Sequence, residues 1–231
     1  MGGLVLSLFP GIGLLDQAFE EEGFTVVRGP DLLWGGDVRR FRPPPGVFDG
    51  IIGGPPCQRF SGLGKVNMVR WGDDSVMPNM IPEFERCVRE ALPSWFLMEN
   101  VVGAPMPEVL PYVVEDRICN NRWCGGEQDR VRRFSFGAIS GCPETFHIEG
   151  VAVEASARSA TVISTGQNGN GGPRASIEKM ALAQGIDPAR FENTPFTTTE
   201  LRRAIANGVP LPMGRAVARA VLAANQRREA A

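Results

Sequence analysis

Apolar and polar positions along the first hundred residues alternate between two spacings. Leu4-Val5-Leu6-Ser7-Leu8-Phe9 is a short apolar run that predicts a strand, and Pro10-Gly11-Ile12-Gly13 follows it. From Leu14 to Glu22, the residues Leu14, Leu15, Ala18 and Phe19 fall on one helical face, and Gly23 supplies a stop. Phe24 to Val27 reads as a second strand. Phe48 to Ile52 reads as another, running into Gly53-Gly54-Pro55-Pro56-Cys57. Pro82 to Leu92 has helical spacing, and Trp95 to Met98 is a strand that enters Glu99-Asn100-Val101. Strands alternating with helices predict a parallel α/β sheet. Further along, Arg130 to Phe136 is strand-like with charged and apolar positions mixed. Ser176 to Gln184 reads as a helix, and so does Leu211 to Arg228, where Ala216, Val217, Ala220, Val221 and Ala224 keep helical spacing. Residues 166–172 (GQNGNGG) predict a flexible loop. There is no internal repeat.

Length and charge narrow the classes. A chain of 231 residues fits one domain, or one with a small appendage. With 43% hydrophobic and 22% charged residues it reads as an ordinary soluble protein. A formal net charge of -2 gives no global basic signature, so a nucleic-acid partner has to be gripped by a local patch. No apolar window reaches 18 residues, which argues against a membrane-spanning helix, and the first residues lack the basic start of a signal peptide. The five cysteines (Cys57, Cys87, Cys119, Cys124, Cys142) are odd in number and irregularly spaced, which fits the reducing cytoplasm better than a disulfide framework.

Candidate chemistry clusters where strands end, the place at which open α/β sheets bind ligands. The glycine turn 10–13 lets a ligand approach the backbone, although tight geometry alone also explains such turns. In Gly53-Gly54-Pro55-Pro56-Cys57-Gln58 the prolines stiffen the loop and fix the cysteine's direction. A buried structural thiol is the simpler alternative for Cys57. A thiol with an ordinary pKa of about 8.5 is mostly protonated at neutral pH, so a nucleophilic Cys57 needs a base or cation nearby. Glu99 ends another strand, where it can act as an acid or clamp a base; a lone glutamate is more often exposed or a helix cap. Arg130 and Arg132 in Gln128-Asp129-Arg130-Val131-Arg132 fall on one face of a strand, which is otherwise a solvated charged face.

Each signal is ambiguous singly, but their order is not. Phe-x-Gly-x-Gly at 9–13, Gly-Pro-Pro-Cys-Gln at 54–58, Glu-Asn-Val at 99–101 and Gln-x-Arg-x-Arg at 128–132 together resemble the DNA (cytosine-5) methyltransferase family. The resemblance extends to Gly36-Asp37-Val38 ahead of a strand, to Phe60-Ser61-Gly62-Leu63-Gly64, and to Ala206-Asn207-Gly208-Val209-Pro210. It covers about residues 4–137 and 182–222. It implies a doubly wound, mostly parallel, Rossmann-like sheet that uses S-adenosylmethionine and yields S-adenosylhomocysteine. In that scheme Cys57 adds to carbon 6 of a flipped-out cytosine, and Glu99 holds the ring nitrogen and exocyclic amine. Arg132 takes the carbonyl oxygen, and Arg130 steadies the loop and thiolate. Phe9, Gly11, Ile12, Gly13, Leu14, Asp37, Val38, Pro55 and Asn207 would line the cofactor site. Asp31 is the nearest acid for the ribose hydroxyls. The C-terminal helix should return beside the first. The expected substrate is double-stranded DNA. RNA is the rival substrate, though the element that marks the RNA-modifying relatives is not evident. A non-catalytic binding module is a third reading, against which the retained Cys57 argues.

The sequence also departs from the family. Pro10 stands where a small residue is usual, and Ala206-Asn207-Gly208 permutes the usual Gly-Asn-Ala order. The recognition region is much reduced. Residues 1–137 would form the catalytic and cofactor core, 138–180 the shortened recognition insert, and 181–231 the return to the core. So short an insert implies weak or short-motif sequence reading, or a separate specificity partner, on a chain expected to be monomeric and of bacterial, phage or mobile-element origin. Arg122, Arg130, Arg132, Arg133, Arg158 and Arg174 are candidate phosphate contacts. Cys119-x4-Cys124 with Cys142-x4-His147 has the residue types for zinc, but the spacing is looser than a two-residue knuckle, and no metal is expected.

Overall fold

Six strands form one sheet in the order β2-β1-β3-β4-β6-β5: β1 (Leu4–Leu8), β2 (Thr25–Arg28), β3 (Gly50–Gly53), β4 (Trp95–Asn100), β5 (Val113–Asn120) and β6 (Val131–Ala138). The computed structural model describes residues 2–72, 76–139, 146–151 and 174–229. The loop expected at 166–172, Cys142 and Arg158 lie outside the described residues. Strands β1 to β4 pair in parallel, while β6 runs antiparallel to both β4 and β5.

The sheet is doubly wound. Val5, Ile52, Trp95, Leu97, Phe134 and Phe136 face α1 (Leu14–Glu21) and α6 (Leu211–Glu229), which contribute Leu15, Phe19, Met213, Val217 and Val221. Leu6, Leu8, Ile51, Phe96 and Met98 face the other way and pack on Ile81, Phe84, Cys87, Val88 and Ala91, all of them on α3 (Ile81–Ala91). This alternation is the two-residue period of a strand buried on both sides, as parallel strands require. The expected return of the last helix holds. α6 lies against α1 so closely that a side chain at Gly214 would meet Ala18, and Arg215 and Arg219 pair with Glu21 and Glu22. A third apolar cluster joins the start of α1 to α4 (Ile177–Ala183) and α5 (Thr198–Asn207) through Leu14, Ala18, Met180, Ala181, Ala204 and Ile205.

Three elements escaped the sequence pattern. β5 carries Glu115-Asp116-Arg117 at its centre, which breaks its alternation. α2 (Gly62–Trp71) contains two glycines and has no apolar stripe. α5 starts with a capping box in which Thr197 and Glu200 satisfy each other's backbone donors, a signal present in the sequence as Thr-x-x-Glu.

Two glycines of the sheet are overlain by rings. A Cβ on Gly50 would lie 2.2 Å from the Trp95 indole, and one on Gly137 would lie 2.3 Å from the Phe96 ring. Gly50 and Trp95 are register partners on β3 and β4. Gly50→Ala is therefore expected to destabilise the fold by about 1–3 kcal/mol through overpacking. The check is the midpoint of urea unfolding: an unchanged midpoint would mean that Trp95 can move aside at no cost.

Candidate active site

The sheet reverses its winding between β1 and β3, and a crevice opens at the carboxyl ends of the strands there. A cavity of about 690 Å³ occupies it. Thirteen of the fourteen residues singled out from the sequence line it: Cys57, Glu99, Arg130 and Arg132, with Phe9, Gly11, Ile12, Leu14, Asp31, Asp37, Val38, Pro55 and Asn207; the fourteenth, Gly13, sits in the turn between Ile12 and Leu14 and does not line it.

After β1 the chain turns abruptly. Phe9, Gly11 and Gly13 have φ of 57°, 55° and 74°. Gly11 and Gly13 adopt this left-handed backbone freely, whereas at Phe9 it costs about 1–2 kcal/mol. Gly13 N–H closes the turn on the Pro10 carbonyl at 2.8 Å. Pro10, which stands where a small residue is usual and has no N–H to donate, is thus an acceptor here. A Cβ on Gly11 would meet nothing within 4 Å, so that face of the turn stands open. Asp31 ties the wall together by accepting from Gly11 N–H (2.8 Å) and Leu33 N–H (2.7 Å). Asp37 caps a short 3₁₀ helix and binds Arg39 through both oxygens; these bonds hold its carboxyl below the usual range. Beneath the turn the buried Asp16 accepts from the Ser7 hydroxyl (2.5 Å) and pairs with Arg28 (3.0 Å). Burial raises its pKa against those partners. Asp16 was not singled out from the sequence, because an acid in the first turn of a helix is common at any helix start.

The loop after β3 places the thiol. The Asn100 amide donates to the Pro55 carbonyl at 3.2 Å, binding the Pro-Pro-Cys loop to the end of β4. Cys57 leads a short 3₁₀ helix (Gln58–Phe60), its carbonyl accepting from Phe60 and Ser61 N–H. A side chain on Gly54 would come within 3.0 Å of the Glu99 carboxylate, so the glycine leaves that acid its room. Glu99 continues the Trp95-Leu97 face of β4 and sits opposite Phe134 on β6; Arg132, two residues away on the same face, reaches it diagonally. Arg132 Nε lies 2.8 Å from Glu99 Oε1, both side chains being largely buried. Arg130 is buried just before β6 and donates to the Ala206 carbonyl at 2.8 Å, joining the Gln-Asp-Arg segment to the end of α5. Burial and the neighbouring Arg132 both press its pKa down, yet a guanidinium stays charged at any physiological pH.

These groups set the acidity of Cys57. Burial raises its pKa, as does the charge of Glu99, while Arg132 and Arg130 lower it, and the net direction is upward. The resting thiol is therefore protonated at neutral pH. Alkylation of Cys57 by iodoacetamide, followed by peptide mass spectrometry, is expected to accelerate only above the usual thiol range. A midpoint at or below that range would show that the two arginines dominate.

The structure corrects one expectation. Arg130, Arg132 and Arg133 do not present a phosphate-binding surface: they turn inward to the Ala206 carbonyl, Glu99 and the Ala104 carbonyl respectively. Arg174 is exposed and Arg122 is half-buried. Cys119 and Cys124 do meet, Sγ to Sγ at 3.2 Å, and His147 is exposed. Among the described residues no three metal-ligating side chains converge. No helix among them is long and apolar enough to cross a membrane.

Residues 36–155, just over half of the chain, match the family described as C-5 cytosine-specific DNA methylase. The chain belongs to this family. Among curated members, the Type II methyltransferase M.NgoPII of Neisseria gonorrhoeae is 32% identical over a match covering 43% of this chain and 33% of the relative. The Type II methyltransferase M.AquIA of Picosynechococcus is 36% identical, covering 43% of this chain and 48% of the relative. The match thus spans only a third to a half of these methylases' length. The family fold is also that of the solved S. pombe Dnmt2 methyltransferase, which superposes with a TM-score of 0.64 at 14% identity and covers 98% of this chain and 99% of that one. The C-5 methylase match takes in Asp37, Cys57, Glu99, Arg130 and Arg132, whereas the glycine turn and Asn207 lie outside it.

Proposed function

We propose that this chain methylates carbon 5 of cytosine in double-stranded DNA with S-adenosylmethionine as the donor. The observation that carries the reading is the convergence of Cys57 with the Glu99–Arg132 pair at one end of a cavity whose other walls are the open glycine turn, Asp31, Asp37 and Val38. A cavity of about 690 Å³ has room for a nucleoside amino acid beside a single base. Phe9 and Val38 offer apolar walls for an adenine, Asp37 an acceptor for its amine, and Asp31 an acceptor for ribose hydroxyls. Gly11, Ile12, Gly13, Leu14, Pro55 and Asn207 complete the enclosure. When bound, S-adenosylmethionine supplies an electrophilic methyl group.

The chain's own groups account for the rest. The Cys57 thiolate adds to carbon 6, which breaks the ring's aromaticity and makes carbon 5 nucleophilic. Glu99 bonds the ring nitrogen and exocyclic amine and stabilises the charge that develops there. Arg132, already held by Glu99, faces the carbonyl oxygen. There is an economy in this arrangement: the charge on Glu99 opposes ionisation of Cys57. When the proton that leaves Cys57 passes to Glu99 and is shared with the ring nitrogen, that opposition is removed, so the thiolate is favoured once cytosine is in place. Loss of the carbon 5 proton and departure of Cys57 restore the ring. A base inside a duplex cannot reach Cys57, so the target is flipped out.

We assign residues 1–137 and 181–231 to the catalytic core and 138–180 to target recognition. So short a segment implies short-motif reading or a separate specificity chain. The deciding experiment is transfer from labelled S-adenosylmethionine to mixed-sequence duplex DNA, with 5-methylcytosine mapped at base resolution. Methylcytosine in a recurring motif supports the reading; transfer to RNA alone, or methylation at another atom, overturns it.

A further inference from the structure

Four cations line the cavity, and three already have partners. Arg39 is clamped by Asp37, Arg132 by Glu99, and Arg130 is buried against the Ala206 carbonyl. The fourth, Arg203, is exposed, lies on α5, and has no hydrogen-bond partner among the described residues. Glu200, Arg203, Ala204 and Asn207 all line the cavity and recur at the spacing of one helical face. The end of that face abuts the glycine turn's helix, because a side chain on Gly208 would strike Leu14 at 2.6 Å. Arg203 was not singled out from the sequence, and nothing in the proposed chemistry of the base uses it.

This inference rests on the reading proposed above. With the adenosine against Asp31, Asp37 and Val38 and the base against Cys57 and Glu99, the sulfonium must lie between them. Its amino-acid tail is then left with one remaining wall, the glycine turn and the α5 face. That tail carries a carboxylate and an ammonium, and the α5 face presents Arg203 and Glu200 one turn apart, each within electrostatic reach of the other. We infer that Arg203 is the cofactor-binding residue that receives the carboxylate of the methionyl end. A guanidinium is suited to this task because its planar fork matches a carboxylate. Glu200 accepts through Oε2 from both the Thr197 N–H (2.7 Å) and hydroxyl (2.8 Å), which fixes the start of α5 and so the placement of Arg203.

Two ligands separate this role from a structural one. S-adenosylhomocysteine carries the carboxylate; 5′-methylthioadenosine has the same nucleoside and thioether but no amino-acid end. In calorimetric titrations of the full chain, Arg203→Ala is expected to weaken S-adenosylhomocysteine about tenfold or more, the worth of a charge-assisted hydrogen bond. Binding of 5′-methylthioadenosine should be unchanged, and Arg203→Lys should recover part of the loss. Equal loss for both ligands would mean that Arg203 only shapes α5, and no loss for either would also overturn the assignment. If instead Arg203→Ala spares both ligands but weakens duplex DNA and flattens its salt dependence, Arg203 is a phosphate contact. A wild-type chain that binds neither ligand refutes the proposed function itself, whereas wild-type binding with an insensitive Arg203→Ala refutes only this inference.

Discussion

Cys57→Ala is expected to abolish methyl transfer, by on the order of 10⁴-fold or more, while leaving S-adenosylhomocysteine affinity within about a factor of two of wild type. The asymmetry follows from the layout. Cys57 sits on the loop after β3, which gives the cofactor site only Pro55, whereas the other surfaces assigned to the cofactor belong to the turn after β1, the segment after β2 and the end of α5. Asn100 still binds the Pro55 carbonyl without the thiol, so the loop keeps its path. Single-turnover transfer and a parallel titration of S-adenosylhomocysteine test both halves. Retained transfer would sink the covalent mechanism. Loss of cofactor binding would show that the thiol holds the loop.

Glu99→Gln is expected to move two readouts in opposite directions. Transfer should fall by about 10²–10⁴-fold, because glutamine cannot share a proton with the ring nitrogen. The thiol, in contrast, should become more reactive. Glu99 raises the pKa of Cys57, and removing its charge leaves Arg132 and Arg130 to lower it. The sign is fixed by charge: a vanished neighbouring anion favours the thiolate. The midpoint of iodoacetamide alkylation at Cys57 should shift to lower pH in the variant. If transfer falls but the midpoint rises or stays, Glu99 acts on the thiol by position and not by charge. A merely unfolded variant would alkylate all its cysteines, including the buried Cys87, and is recognised that way.

The parallel half of the fold was legible because its strands are short, apolar on both faces, and closed by glycine or proline turns. Leu4–Leu8 and Trp95–Asn100 carry that stamp plainly. β5 did not, since an edge strand can keep charges at its centre and still pair along one side. The individual site residues were legible only as an ordered set. A cysteine after two prolines, a glutamate at a strand end and two arginines two apart are each common; their succession is what identified them. Arg132 shows the limit. The sequence offered it both as a base ligand and as a phosphate contact, and only the antiparallel pairing of β6 with β4 shows that it turns toward Glu99. Asp16 and Arg203 were illegible for a different reason. Their helices are amphipathic whether or not a cavity lies beside them, so no local pattern separates a pocket-facing charge from a solvated one.

The reversed direction of β6 has a consequence for how such a chain can vary. Because β6 opposes β4, its first residues meet the end of β4 at the cavity, while Ala138 pairs with Trp95 at the opposite rim of the sheet. Six residues of strand, roughly 17–20 Å, therefore separate Arg132 from the point where the chain leaves for residues 138–180. That exit works as a grafting point. Under the recognition role proposed above for residues 138–180, a different reader, long or short, can be spliced in there without stretching the Glu99–Arg132 pair, so the chemistry and the choice of address can diverge independently.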